Sequence, residues 1–223
     1  MKHIPKQRQT GEARKAQLIV ATLNSICKHG YLNSTINTIS EESGLSTGLI
    51  SHYFENKDDL LTYAHKYYLQ NVDDFHRHVV LSIKTGHFTK LLYSACVPFL
   101  RETGYHMIVI HYMSAAWIMP NVLKMHRELW HRYRANVERR VSAIARERGL
   151  NIDVKMTATT LIQLVDGLWL GLAMEEVYTR EDCCRIIRKW MCDQFGEDPE
   201  KYPLMPDFDL ENFKTSAPLP ERK

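Results

Sequence analysis

Apolar residues recur every three or four positions along most of this 223-residue chain, with polar residues between them. This spacing is typical of amphipathic helices, and the alternating runs that would predict strands are few. The pattern predicts helices over residues 12–29, 36–54 (two short helices), 57–81 and 88–102. Further helices are predicted from Gly104 onward, over 120–149, 154–178 and 181–195. The chain is therefore predicted to be all-α.

The segment 34–54 carries the signals of two short helices joined by a sharp turn. Ser34 or Thr35 can cap the first helix, because their hydroxyl groups accept hydrogen bonds from its unpaired amides. Gly44 tolerates the left-handed backbone that a tight turn between helices requires. Ser46 can then cap the second helix in the same way.

The second short helix has one apolar face and one polar face. Ile50 and Phe54 are four residues apart and are predicted to point into a core with Ile36 and Ile39. The outward positions hold small or hydrogen-bonding residues, namely Thr47, Gly48, Ser51 and His52. A capped helix pair with such an outer face is the construction of a DNA-reading helix-turn-helix.

The predicted DNA contacts divide into two kinds. Tyr53 and Lys57 are placed to hold phosphates, helped by Ser34 or Thr35 and by the free amides at helix starts such as Ser46. The outward residues Thr47, Gly48, Ser51 and His52 are predicted to face base edges, and Leu49 to touch a thymine methyl group.

Residues 35–61 resemble the amino-terminal domain of TetR-type bacterial repressors, from the Thr-Ile start to the Lys and Leu of the next helix. The segments 46–54 and 161–170 are similar to the choline-responsive BetI subgroup of that family. The sequence departs from the family at Thr47, where most members carry Lys, and at Ser51, where many carry an aromatic residue. Each change removes one phosphate contact that the family pattern implies.

The resemblance implies an amino-terminal three-helix helix-turn-helix domain joined to a helical-bundle domain that binds a ligand and dimerises. It implies a cytoplasmic homodimer that represses transcription and is released from its double-stranded DNA operator by a small-molecule effector, such as choline or betaine aldehyde. Close packing at Gly167 and Gly171 suits the dimer interface that the family forms from its last two helices.

Charge and composition suggest four segments. Residues 1–11 are predicted to be a disordered basic arm, because residues 1–15 hold five basic residues and one acidic residue. Residues 12–57 form the predicted DNA-binding domain and 58–195 the ligand-binding and dimerisation domain. Residues 196–223, rich in proline and acidic residues, are predicted to be an extended or disordered tail.

The carboxy-terminal part contains aromatic residues and an acid that suit an organic cation. Tyr112, Trp117, Asp166 and Trp169 are the predicted effector contacts, since π faces and a carboxylate hold quaternary ammonium groups. Asp166 interrupts an apolar helix face. It is a buried acid paired with an arginine, an exposed residue or the counter-charge of a ligand, and the sequence leaves all three open.

Other classes of function receive less support. The five cysteines have no metal-ligand spacing, and the histidines do not complete a four-ligand set, so neither a metal nor another cofactor is predicted. No uninterrupted stretch of about 20 apolar residues predicts a membrane span. Two alternatives remain: a TetR-type regulator of efflux or lipid genes with another hydrophobic ligand, and a helical enzyme or adaptor.

Overall fold

The computed structural model describes residues 11–100, 105–175 and 177–204. Within these residues the chain forms nine α-helices and no strand, which confirms the predicted all-α class. The helices are α1 (Gly11–Asn33), α2 (Ile36–Ser43), α3 (Thr47–Tyr53), α4 (Lys57–Ser82), α5 (His87–Cys96), α6 (Tyr105–Ala116), α7 (Pro120–Arg148), α8 (Val154–Met174) and α9 (Arg180–Phe195).

Three helix ends differ from the sequence prediction or refine it. The regular part of α1 ends at Gly30, whose φ of 79° is not helical, and one more turn follows to Asn33. Helix α5 ends at Cys96 rather than near 102, because Pro98 lacks an amide donor and a 3₁₀ turn takes over. Helix α8 ends at Met174, four residues early, and the Tyr178 ring lies back against Gly171.

The described residues form two compact units. The first comprises residues 11–71 and 105–124, so it holds α1, α2, α3 and α6 together with the first part of α4 and the first residues of α7. Its core is one apolar cluster in which α1 packs on α2 and on α6. The largest buried side chains of this core include Leu18, Leu23, Ile26, Ile39, Ile50, Leu60, Leu61 and Tyr112.

The second unit comprises residues 72–100, 125–175 and 177–204. Its apolar cluster is built mainly from α5, α7, α8 and α9, and it contains the free thiols of Cys96, Cys183, Cys184 and Cys192. By length and composition α8 could cross a membrane. The inward side chains Leu161, Ile162 and Val165 are buried in this cluster.

The predicted terminal segments lie mostly outside the described residues, which exclude 1–10 and 205–223. Gly11, assigned to the arm, is the first residue of α1. Gly196 ends α9 with a φ of 67°, and a 3₁₀ turn follows at Pro199–Lys201. The Tyr93 hydroxyl donates to the Pro203 carbonyl at 2.8 Å, which attaches this part of the tail to the second unit.

Gly44 and Gly48 provide a matched test of the turn. A Cβ at either position meets nothing within 4 Å, but only Gly44 has a left-handed φ, of 65°. Gly44→Ala should therefore lower the free energy of unfolding of the first unit by about 1 kcal/mol through backbone strain. Gly48→Ala should raise it by roughly 0.5–1 kcal/mol, because alanine is the better helix former. Thermal denaturation followed by circular dichroism measures both, and equal shifts would contradict the assignment.

Candidate nucleic-acid interface and effector site

The start of α2 is fixed by a capping box. The Thr35 side chain accepts a hydrogen bond from the Thr38 amide at 3.2 Å, and the Thr35 amide donates to the Thr38 hydroxyl at 2.9 Å. Thr35 is exposed, so its cap lies at the surface beside the remaining free amides of the helix start. Such a start attracts anions through these amides and through the helix dipole.

The turn between α2 and α3 is held from inside the first unit. The Gln17 side-chain amide donates to the Ser43 carbonyl at 2.7 Å, which links α1 to the turn. The Ser40 hydroxyl spans the turn and donates to the Leu45 carbonyl at 2.6 Å. Ser46 then caps α3 by accepting from the Leu49 amide at 3.3 Å. The orientation of α3 is therefore set by hydrogen bonds that its outer face does not use.

Helix α3 has the two faces that the sequence predicts. Ile50 is 1% exposed, and Phe54, which caps the helix, is buried beside it. The residues predicted to read bases are all exposed: Thr47, Gly48, Ser51 and His52. Leu49 is half-buried, between the two faces. The Ser51 hydroxyl donates only within the helix, to the Thr47 carbonyl at 3.2 Å.

The two residues predicted to bind phosphates, Tyr53 and Lys57, lie at the end of α3 and at the start of α4. Tyr53 is half-buried and its ring meets the His52 ring edge-on, with centroids 5.2 Å apart. Lys57 begins α4, and its ammonium donates to the Leu32 carbonyl at 3.1 Å. This contact joins the start of α4 to the end of α1, and it holds the ammonium near the surface of the first unit.

Ser34 does not occupy the position that the sequence analysis expected. Its side chain is fully buried, and its hydroxyl donates to the Gly30 carbonyl at 2.9 Å while accepting from Ser25 at 3.1 Å. Ser25 also bonds the Thr38 hydroxyl at 3.0 Å, so these hydroxyls connect the kink of α1 to the cap of α2. A phosphate cannot reach a hydroxyl enclosed in this way, so Thr35, not Ser34, is the exposed member of the pair.

The four residues predicted for an effector site belong to different units. Tyr112 and Trp117 lie in the first unit, and Asp166 and Trp169 in the second. Tyr112 is 2% exposed, its hydroxyl donates to the Leu61 carbonyl at 2.9 Å, and its ring stacks on His65 at 3.9 Å. The hydroxyl group and the ring of Tyr112 are thus already engaged within the core of the first unit. Trp117 is 88% exposed and encloses nothing.

Asp166 lies among aromatic residues within the second unit. Trp169 is on the same face of α8, three residues away, and packs against the core. On α7, the rings of Trp130 and Tyr133 meet edge-on with centroids 5.6 Å apart. The Asp166 charge contributes to a raised pKa of the Tyr133 hydroxyl, after burial, so the two side chains are close.

The Asp166 carboxylate is poorly compensated. Burial raises its pKa from 3.8 to about 6, and the nearby positive charge of Arg134 opposes that rise only in part. Arg134 itself donates to the Thr159 hydroxyl at 3.0 Å. Among the described residues Asp166 makes no hydrogen bond or ion pair. A half-buried carboxylate without a direct partner is stabilised when an organic cation binds beside it.

Trp130 and Tyr133 were not among the residues assigned to the effector site from the sequence. Their signal was present, since both are aromatic, lie three residues apart on α7 and pack against the same core as Trp169. What the sequence could not supply was the packing of this part of α7 beside Asp166. Within the described part of the chain, no group of three or more His, Cys, Asp or Glu side chains is arranged to hold a metal ion.

Sequence models of two protein families match the chain. "Bacterial regulatory proteins, tetR family" matches residues 18–64, and "BetI-type transcriptional repressor, C-terminal" matches residues 109–195. The HTH-type transcriptional regulator BetI of Proteus mirabilis is 33% identical over 167 residues, which cover 73% of this chain and 82% of that protein. The BetI regulator of Burkholderia lata is 29% identical over 166 residues, covering 73% and 84%.

Solved structures share the fold. A transcriptional regulator from Pseudomonas aeruginosa superposes with a TM-score of 0.72 at 25% identity, covering 88% of this chain and 97% of that one. A transcriptional regulator from Saccharomonospora viridis, solved in complex with choline, also gives a TM-score of 0.72, at 20% identity. That comparison covers 82% of this chain and 96% of the other.

Proposed function

Because the chain belongs to the TetR family of bacterial regulatory proteins and has a BetI-type carboxy-terminal domain, we propose that it is a homodimeric repressor released by a cationic effector. Members of this family are DNA-binding transcriptional regulators rather than enzymes. Such a protein acts in the cytoplasm, where its operator lies. The observation that carries the proposal is a capped and exposed α3 in a chain that matches both families.

The DNA contacts follow from exposure and charge. The exposed face of α3 supplies Thr47, Gly48, Ser51 and His52 to base edges in the major groove, with Leu49 beside a thymine methyl group. Thr35 and Ser46 present the amides at the starts of α2 and α3 to phosphates. Tyr53 and Lys57 complete the phosphate contacts. Lys57 exchanges the Leu32 carbonyl for a phosphate, and a charged acceptor makes the stronger hydrogen bond.

The dimer interface is proposed on the outer face of α8. Residues spaced alternately by four and three are all exposed there: Met156, Thr160, Gln163, Gly167, Leu170 and Met174. Three of these are large apolar side chains that are at least half exposed, which a soluble monomer rarely arranges in one row. Ile186 on α9 is a further exposed apolar residue. In a dimer, this row would pack against the same row of the second protomer, and its spacing of four and three residues is the one that packed helices use.

Gly171 has a different role from the one expected. It is buried, and a Cβ there would lie 2.8 Å from the Tyr178 ring of the same chain. Gly167 is exposed, with nothing within 4 Å of a Cβ. The small residue available for close packing against a partner is therefore Gly167, whereas a side chain at Gly171 would displace the Tyr178 ring of the same chain.

The effector site is proposed around Asp166, with the rings of Trp130, Tyr133 and Trp169. A quaternary ammonium group cannot donate N–H hydrogen bonds, so aromatic faces and a nearby carboxylate are what recognise it. The unpaired Asp166 charge supports this site, and a fold relative binds choline. Choline or betaine aldehyde is accordingly the proposed effector. Tyr112 and Trp117 are left out, because one is committed to the core and the other is open to solvent.

Base-reading and phosphate-holding residues should respond differently to substitution. His52→Ala or Ser51→Ala should change which base pairs are preferred, by about 1–3 kcal/mol for each good base contact. Lys57→Ala should weaken binding to all sequences and reduce the slope of log affinity against log salt by about one per lysine. Fluorescence anisotropy with an operator library measures both. A Lys57 variant with altered preference and an unchanged salt slope would contradict the assignment.

A charge on the α8 row should separate the dimer. Leu170→Glu should shift the sedimentation coefficient from dimer to monomer, because two carboxylates would then face each other across an apolar interface. Operator affinity should fall with it, since two half-sites about one DNA turn apart need both helix-turn-helix domains. Gln163→Glu tests charge alone on the same row, and Lys155→Glu on an exposed position off the row should leave the dimer intact. A wild-type protein that sediments as a monomer would refute the interface.

Effector binding should depend on the ionised form of Asp166. Choline keeps its charge at every pH, so its affinity should fall as the pH drops through about 6 and Asp166 is protonated. Asp166→Asn should weaken choline roughly tenfold and remove the pH dependence, whereas Asp193→Asn, on an exposed part of α9, should change neither. Titrations followed by tryptophan fluorescence and operator release should include dimethylbutanol, the neutral carbon isostere of choline. Equal responses to the two compounds would exclude a cation site.

A further inference from the structure

A cleft of about 370 Å³ lies in the first unit, outside the proposed base-reading face. Its walls come from the end of α1, the start of α4 and the turn between α6 and α7. A second depression of about 300 Å³ shares Asp58, Met119 and Asn121 with it. Each volume is at the lower end of the range of small-molecule pockets, about 300–1,000 Å³. We call the two together the Asp58 cleft.

One end of the Asp58 cleft is apolar and open. Leu32 is 68% exposed and Ile118 66%, and both line the cleft with Met119 and Pro120. The Tyr31 hydroxyl contacts the Met119 sulfur at 2.6 Å, which fixes the floor between α1 and the turn before α7. A ligand that covers these exposed apolar side chains removes them from water, and this favours its binding.

The other end supplies unused oxygen acceptors. Asp58 is exposed, and among the described residues neither its carboxylate nor the Asn121 amide makes a hydrogen bond or ion pair. Asp58 also contributes, after burial, to raising the pKa of Tyr31 to about 12, so its charge lies close to the floor of the cleft. Of the described residues that line the cleft, Lys57 alone is a cation, and its ammonium donates to the Leu32 carbonyl.

The charge at this end is negative. Asp58 and Asp59 line the second depression, and Lys57 lines the first. Two carboxylates therefore lie at this end with one ammonium group, which is already bonded to the Leu32 carbonyl. Asp59 is partly occupied, since it accepts from the Glu55 amide at 3.3 Å. The two carboxylates more than offset the partial positive charge of the α4 start. Asp58 is thus the carboxylate available to a bound group.

We propose that the Asp58 cleft binds a primary amine with an apolar body of about ten carbon atoms, a size suited to its volume. The ammonium donates to the Asp58 carboxylate and the Asn121 oxygen, and the body covers Leu32, Ile118 and Met119. A primary ammonium has three N–H donors for these oxygens, whereas a quaternary ammonium has none. The site therefore differs in ligand class, and in location, from the effector site proposed around Asp166.

Methyl NMR of the full-length protein tests this site directly. With ¹³C-methyl-labelled methionine, phenylbutylamine should shift the Met119 signal, which Met119→Leu identifies by its loss. An amine of this size at an open site should bind with a dissociation constant of about 1 mM. Phenylbutanol, which has the same shape and no charge, should bind at least about fivefold more weakly. No Met119 shift up to about 10 mM amine, or equal affinity for the two compounds, would overturn the proposal.

Substitutions separate this site from the rest of the protein. Asp58→Asn should weaken the amine about fivefold and leave phenylbutanol unchanged, because it removes charge and keeps shape. Glu55→Gln makes the same change of charge on an exposed residue outside the cleft, and it should retain amine binding. Ile118→Ser should weaken amine and alcohol together. Asp166→Asn should leave the dissociation constant of the amine unchanged, whether or not choline binds beside Asp166. Unaltered amine binding in Asp58→Asn would overturn the assignment.

Discussion

The burial of Ile39 and Ile50 in the core of the first unit is the constraint on which the helix-turn-helix depends. Helices of eight and seven residues are too short to be stable alone, so α2 and α3 persist only because these side chains are packed. Both are at most 1% exposed, in the same cluster as Leu18 and Leu23. Once Ile50 is inside, the helical period fixes which residues of α3 face outward. The orientation of the DNA-reading surface is thus a consequence of core packing.

Local patterns made the first unit predictable from the sequence. Cap residues, a left-handed glycine and apolar spacing are each properties of a few adjacent residues, and Thr35, Gly44 and Ser46 are found in the predicted roles. Ser34 was less predictable, because two adjacent hydroxyl residues can both cap a helix. Only the position of Ser25, nine residues away on α1, decides which of them is enclosed.

The proposed effector site was less predictable because it depends on contacts between distant helices. Asp166 interrupts an apolar face whether it is paired, exposed or poised for a ligand, and the sequence offered no choice among these. The absence of a direct partner among the described residues, with Arg134 nearby but bonded to Thr159, removes the paired alternative. Gly171 shows the same limit, since its close neighbour proved to be Tyr178 of its own chain.

The outer face of α3 makes almost no contribution to the stability of the fold. Thr47, Gly48 and Ser51 are exposed, and among the described residues their side chains make no hydrogen bond beyond α3. The turn is held instead by Gln17, Ser40 and the buried isoleucine pair. Residues on this face can change by mutation with little penalty to folding. A duplicated copy of the gene could therefore acquire a new operator in small steps, and a laboratory could graft another reading surface onto the same scaffold.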